Sequence, residues 1–155
     1  MYLSKNKILI LIILLCTILL VGCKKEMPNE IQKEDIYNQI EEEYLIYFYK
    51  ARCPYCEKCE DIIKDYIAQD ESPIKLYTCD LSKDKEIKRY YEGAKGQGSK
   101  GQYFVDGVTN YKDLYIAGVP TIIKIKNENG IKVGEYIASG KSKVIEYINE
   151  QKKAK

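Results

Sequence analysis

The residues best suited to chemistry are the thiols of Cys53 and Cys56, separated by Pro54 and Tyr55. At that spacing, in the first turn of a helix, two sulfurs lie within disulfide range without backbone movement. The positive end of the helix stabilises a thiolate there, and Lys50, Arg52 and Lys58 add positive charge nearby. Pro54 suits the first helical position, where its missing N–H is no loss. A pair so placed performs thiol–disulfide exchange, one sulfur attacking and the other resolving.

Other readings of these cysteines are weaker. Cys59 extends the motif to Cys-x-x-Cys-x-x-Cys, with Cys79 as a distant fourth sulfur, which would suit zinc or an iron–sulfur cluster. Zinc needs four ligands, the chain has no histidine, and the fourth cysteine of the bacterial cluster spacing is absent. No metal and no cofactor is therefore expected. A purely structural bridge between Cys53 and Cys56 would close too short a loop to remove much chain entropy. Cys59 reads either as a third redox thiol or as a small buried apolar residue. Cys79, at a strand end, reads as structural, and a Cys59–Cys79 bridge stays open.

These thiols need elements to position them. The run Tyr44-Leu45-Ile46-Tyr47-Phe48-Tyr49 is β-favouring and bounded by charge, the pattern of a central strand. Residues 57–69 carry Ile62, Ile63, Tyr66 and Ile67 at helical spacing, ended by Ser72-Pro73. A second strand is expected over 74–78. Pro120 to Ile125, a turn at Asn127-Glu128-Asn129-Gly130 and a return strand over 131–138 make a hairpin. A last helix over 141–151 offers Val144, Ile145, Tyr147 and Ile148. Amphipathic helices are also expected over 30–43 and 80–91, and a short one over 109–116. Four glycines within 93–101 require a loop. A β-α-β unit followed by an antiparallel hairpin gives an α/β fold, a central mixed sheet flanked by helices on both faces.

The chain has 155 residues, room for one domain and little more. Residues 1–22 read as a signal peptide: Lys5 and Lys7 precede an apolar run from Ile8 to Val21, too short to span a bilayer comfortably. The run ends in Leu20-Val21-Gly22-Cys23, which resembles a bacterial lipobox, with Cys23 the lipidated residue. An uncleaved signal anchor is the alternative. Residues 23–29 then read as a tether and 30–155 as the domain. Removing residues 1–22 takes away two lysines and no acid, leaving 23 basic and 23 acidic residues. A neutral domain gives no reason to expect nucleic acid as a partner, whereas acyl chains on Cys23 would hold it to a membrane at ~0.8 kcal/mol per buried CH₂. The expected location is the outer face of the bacterial cell membrane.

Strand, Cys-x-x-Cys, helix and, much later, Gly118-Val119-Pro120-Thr121 opening a strand together resemble the thioredoxin superfamily, over residues ~30–152. The resemblance implies a thioredoxin-like fold with Cys53 as nucleophile, Cys56 as resolving thiol and Pro120 as a cis-proline beside them. Val119, Pro54 and Tyr55 would touch substrate. It implies protein dithiol and disulfide clients, and an extracytoplasmic or membrane partner for electron exchange. Cys-Pro-Tyr-Cys is also similar to dithiol glutaredoxins, though their double-glycine motif is missing. Tyr47 stands where thioredoxins place a buried acid, and residues 81–117 form an insertion. Small exported lipoproteins, including those similar to bacteriocin transport accessory proteins, look like relatives. The same fold used only to hold an exported peptide or transporter is the rival reading, with a metal-binding Cys-x-x-Cys-x-x-Cys protein the remoter one.

Overall fold

The computed structural model describes residues 27–69, 72–83, 88–89 and 104–153. The expected signal peptide, Cys23 and the loop expected at 93–101 lie outside the described residues. Strand β1 (Glu43–Tyr49) leads to helix α1 (Pro54–Ile67), strand β2 (Lys75–Asp80) and a short strand β3 (Lys88–Arg89). Short strand β4 (Tyr115–Ile116), the hairpin of β5 (Thr121–Glu128) and β6 (Ile131–Ser139), and helix α2 (Lys141–Lys153) follow.

The main sheet has the order β2-β1-β5-β6, with β1 parallel to β2 and the other neighbours antiparallel. Every residue of β1 after Glu43 is buried, and the side chains alternate between two cores. Tyr44, Ile46 and Phe48 enter one; Leu45, Tyr47 and Tyr49 enter the other. Helix α1 contributes Cys56, Cys59, Ile63 and Tyr66 to the second core, and α2 adds Val144 and Ile148 to the same side. The mixed sheet, its parallel β1-α1-β2 unit and the terminal hairpin and helix make a thioredoxin-like α/β fold.

The opposite face is covered by shorter pieces. A 3₁₀ turn at Lys33–Asp35, another at Tyr111–Asp113, and Val105, Leu114 and Ile116 pack there. Three expectations are corrected on this side. Residues 30–43 form that single 3₁₀ turn, not an amphipathic helix. Ile36 is buried but Ile40 is 91% exposed, and Tyr44 Oη donates to the Ile36 carbonyl at 2.8 Å, holding the segment to the sheet. The helix expected over 80–91 gives way to a turn after Asp80 and to β3, which pairs in parallel with β4. Residues 84–87 and 90–91 lie outside the described part. The short helix expected over 109–116 is one 3₁₀ turn, capped where Asn110 Oδ1 accepts from Lys112 N–H at 3.0 Å, and then β4.

Residues 27–29, the described part of the expected tether, also pack against the sheet. Met27 is buried against the α1 side. Asn29 carbonyl accepts from Thr78 N–H at 3.0 Å and Ile31 N–H donates to Thr78 carbonyl at 2.9 Å, adding a bridge beside β2. Gly134 of β6 is where residues 105–108 meet the sheet: a Cβ there would lie 2.8 Å from the Val105 carbonyl. Its N–H and carbonyl instead bond Val108 and Gly107.

Candidate functional site

Strand β1 delivers the chain to a tight turn, closed by Cys53 N–H donating to the Lys50 carbonyl at 3.3 Å. Arg52 adopts φ +61° in this turn, a left-handed conformation uncommon for a residue with a side chain. Cys53 is extended and caps α1, its Sγ accepting from Cys56 N–H at 3.4 Å. Pro54 occupies the first helical position. The helix thus starts three residues earlier than the apolar periodicity indicated, because Pro54, Tyr55 and Cys56 themselves form its first turn.

The two sulfurs differ in surroundings. Cys53 is half-buried, while Cys56 is 5% exposed. Burial first, and then the hydrogen bond with Cys53, push the Cys56 thiol up to about 12, so it stays protonated at neutral pH. Cys59, one turn further along, is fully buried and pushed up to about 11 by desolvation, with Tyr47 and Lys141 acting in the opposite direction. None of the four described cysteines is joined in a disulfide. Cys79 belongs to the core on the other side of the sheet from Cys59, so the sheet separates them and a Cys59–Cys79 bridge is ruled out.

The loop before β5 closes the site. The Val119–Pro120 peptide is cis, and the Val119 carbonyl lies 4.0 Å from Cys53 Sγ. Thr121 Oγ1 donates to the Gly118 carbonyl at 2.7 Å and sits 2.8 Å from Ser139 Oγ. Gly140 N–H donates to the Pro120 carbonyl at 2.8 Å. These bonds fix the loop to the end of β6. Next to it, an open cleft of about 450 Å³ is lined by Tyr55, Val119, Pro120 and the start of α2. Tyr55 is 61% exposed. A second cavity, about 660 Å³, opens on the β2 side of α1 and reaches Cys56, Tyr47 and Tyr49.

The structure thus brings Cys53, Cys56, Pro54, Tyr55, Val119 and Pro120 together; Cys23 lies outside the described residues. No group of three or more metal-ligating side chains able to hold a metal ion occurs among the described residues. Sequence reasoning missed Thr121, Ser139 and Lys141. Only the first had a visible signal, its place directly after the Val119-Pro120 pair.

No protein-family model and no curated protein matches the chain. Among solved structures it is similar to the first thioredoxin domain of mouse protein disulfide-isomerase A4, at 19% identity over 81% of this chain and 77% of that one, with a TM-score of 0.38. It is also similar to an uncharacterised thioredoxin-like protein from Clostridium perfringens, at 17% identity over 85% and 90% of the two chains, with a TM-score of 0.36. Likenesses this loose carry over no site residue. The cysteine pair and its surroundings stand on their own distances.

Proposed function

We propose that the protein is a thiol–disulfide oxidoreductase that exchanges protein disulfides through Cys53 and Cys56, anchored by lipid at Cys23 on the outer face of a bacterial membrane. The observation that carries the redox reading is the position of Cys53 Sγ. It caps α1 with the Cys56 N–H 3.4 Å away and faces the Val119 carbonyl at 4.0 Å, and Val119 in turn lines an open cleft. A helix N-terminus stabilises a thiolate at its first turn, whether that sulfur attacks in the reductive direction or leaves in the oxidative one.

In the reductive direction the Cys53 thiolate attacks a client disulfide, joining client and enzyme and releasing one client thiolate. The Cys56 thiol then loses its proton and attacks Cys53 Sγ; the Cys53–Cys56 bond forms and the second client sulfur leaves, taking up a proton. Run backwards, the disulfide form oxidises a client dithiol. Burial raises the Cys56 thiol to about 12, so it stays protonated while Cys53 makes the first attack. Extended client backbone next to the reacting sulfur fits the cleft beside Val119 and Pro120, with Tyr55 at its rim. The membrane reading rests on the basic start, apolar run and Leu20-Val21-Gly22-Cys23 string alone.

Insulin reduction and oxidation of a reduced, unfolded client test the redox reading. Turnover in either direction by the intact protein, absent from Cys53→Ala/Cys56→Ala, is the expected result; no turnover in both directions overturns it. Metabolic labelling with a fatty acid, lost in Cys23→Ala, tests the anchor separately.

A further inference from the structure

We propose that the cleft beside Cys53 selects clients by charge, preferring disulfides whose cysteine is flanked by Asp or Glu and laying those carboxylates along Lys141 and Lys143. The proposal rests on the reading above, in which Cys53 attacks a client disulfide, and names the class of client that the attack favours.

Positive charge in this cleft is a local arrangement. With residues 1–22 set aside, basic and acidic residues balance at 23 each. The cleft lined by Tyr55, Val119 and Pro120 nevertheless carries two lysines and no acid among the described residues. Helix α2 opens with Lys141-Ser142-Lys143, and its first turn holds no acidic residue. Lys143 is exposed and Lys141 half-buried. Neither forms an ion pair among the described residues. Lys64, Lys75 and Lys126, by contrast, each hold a carboxylate at 3.0 Å or closer.

Their position gives these two charges a role. Cys53 Sγ lies 4.0 Å from the Val119 carbonyl, and Val119 lines the same cleft as Lys141 and Lys143. The start of α2 is fixed there from two sides. Gly140 N–H donates to the Pro120 carbonyl at 2.8 Å, and the Cys59 thiol donates to the Lys141 carbonyl at 3.9 Å. The Lys141 ammonium is near enough to α1 to favour a thiolate at Cys59. An extended client advances about 3.3 Å per residue, so the neighbours of its reacting cysteine extend from Cys53 over this cleft.

The cavity on the β2 side of α1 offers no such match. Carboxylates from Glu30, Glu57, Glu60 and Asp80 line it together with basic side chains, so an acidic segment meets like charge there. The contrast gives the client a direction, with its carboxylates toward α2. Ammonium groups without a partner at a cleft mouth speed the approach of an opposite charge, an effect that salt screens.

Three peptides provide the test. Each has one cysteine joined to 2-nitro-5-thiobenzoate and flanked by Asp, by Asn or by Lys; Asn matches Asp in shape, so that pair isolates charge. Attack of Cys53 on the peptide sulfur forms the Cys53–peptide disulfide and releases the coloured thiolate. The full chain, reduced, is followed under excess peptide, and the release by Cys53→Ala/Cys56→Ala is subtracted. Each rate is divided by that with 2-mercaptoethanol, which removes the peptide's own reactivity. At low ionic strength the Asp peptide should react about tenfold faster than the Asn peptide and the Lys peptide slowest. In ~0.5 M salt the spread should close to within about twofold. Lys141→Glu/Lys143→Glu should reverse the order. Should that variant fail to fold, Lys141→Gln/Lys143→Gln should abolish the Asp advantage. Altered reactivity of Cys53 alone would scale all three peptides together, so the ratio reads client selection. Equal rates for Asp and Asn with the native chain, or an Asp advantage that persists in the Gln variant, overturn the proposal and leave exchange standing. No release beyond that of Cys53→Ala/Cys56→Ala overturns the oxidoreductase reading as well.

Discussion

The two faces of the sheet are built differently. One carries two long helices, three of the four described thiols, two clefts and the hydroxyl of Tyr47. The other is a packed wall of Tyr44, Ile46, Phe48, Leu114 and Ile123, closed by 3₁₀ turns and by Val105 and Val108. Each face buries one tyrosine hydroxyl, Tyr47 beside Cys59 on the first and Tyr37, without a hydrogen-bond partner, on the second. The surroundings separate them: Tyr47 faces thiols, whereas the ionisable neighbours of Tyr37 are Tyr44 and Asp113. Chemistry is thus concentrated on the face whose helix N-terminus can stabilise an anion, and stability is supplied by both. A single strand, β1, serves the two roles through alternate residues.

Substitutions on one face should therefore leave the other's property intact. Cys53→Ser should lower exchange by at least about a hundredfold, since a hydroxyl cannot replace a thiolate nucleophile, with an unchanged urea midpoint. Cys56→Ser should retain attack and accumulate a client mixed disulfide, visible as a reducible band on a gel. On the other face, Phe48→Ala should cost about 3–5 kcal/mol by leaving a cavity. Exchange per folded molecule, measured well below the midpoint, should hardly change. If Phe48→Ala instead abolished exchange at full folding, the division between faces would be wrong.

Smaller effects sharpen the same contrast. Gly134→Ala should cost about 1–3 kcal/mol, because the new methyl meets the Val105 carbonyl; Cys53 reactivity should be untouched. The pH dependence of the reduced protein adds a further check. The Cys56 thiol is raised in the folded chain to about 12 and Cys59 to about 11, above the ordinary thiol value of 9.0. Below pH ~9 both are protonated in either state and contribute nothing that varies. As pH climbs from there toward 12 the unfolded chain releases these protons first, so stability falls. Cys56→Ala/Cys59→Ala should flatten that fall in urea melts at stepped pH. The least effect is expected from Tyr37→Phe, which removes a hydroxyl with no partner and should be neutral or stabilising by up to about 1 kcal/mol.

Much of the reactive face was legible in the sequence, and the reason is locality. Tyr44 to Tyr49 is apolar on both sides because both its faces are buried. Cys53 and Cys56 are set by one helical turn, and Asn127 to Gly130 closes the hairpin, with Asn129 and Gly130 both at positive φ. Val119-Pro120 was readable as a motif, yet its place beside Cys53 depends on sheet order. The packed face was less legible because its elements depend on distant contacts. Ile31 and Ile36 are five residues apart, off any single helical face, and the segment is held by Thr78 and Tyr44, which local pattern cannot reveal. Strand β3 exists through its pairing with Tyr115 and Ile116, a partner far along the chain.

The most direct measurement is a redox titration of the reduced protein in glutathione buffers of stepped potential, quenched in acid and read by alkylation and mass. A single two-electron transition that protects Cys53 and Cys56 within one molecule, complete while the protein stays folded, is the predicted result. Thiols that remain alkylatable across the whole range, or close only between molecules or after unfolding, would contradict an exchange site at the start of α1.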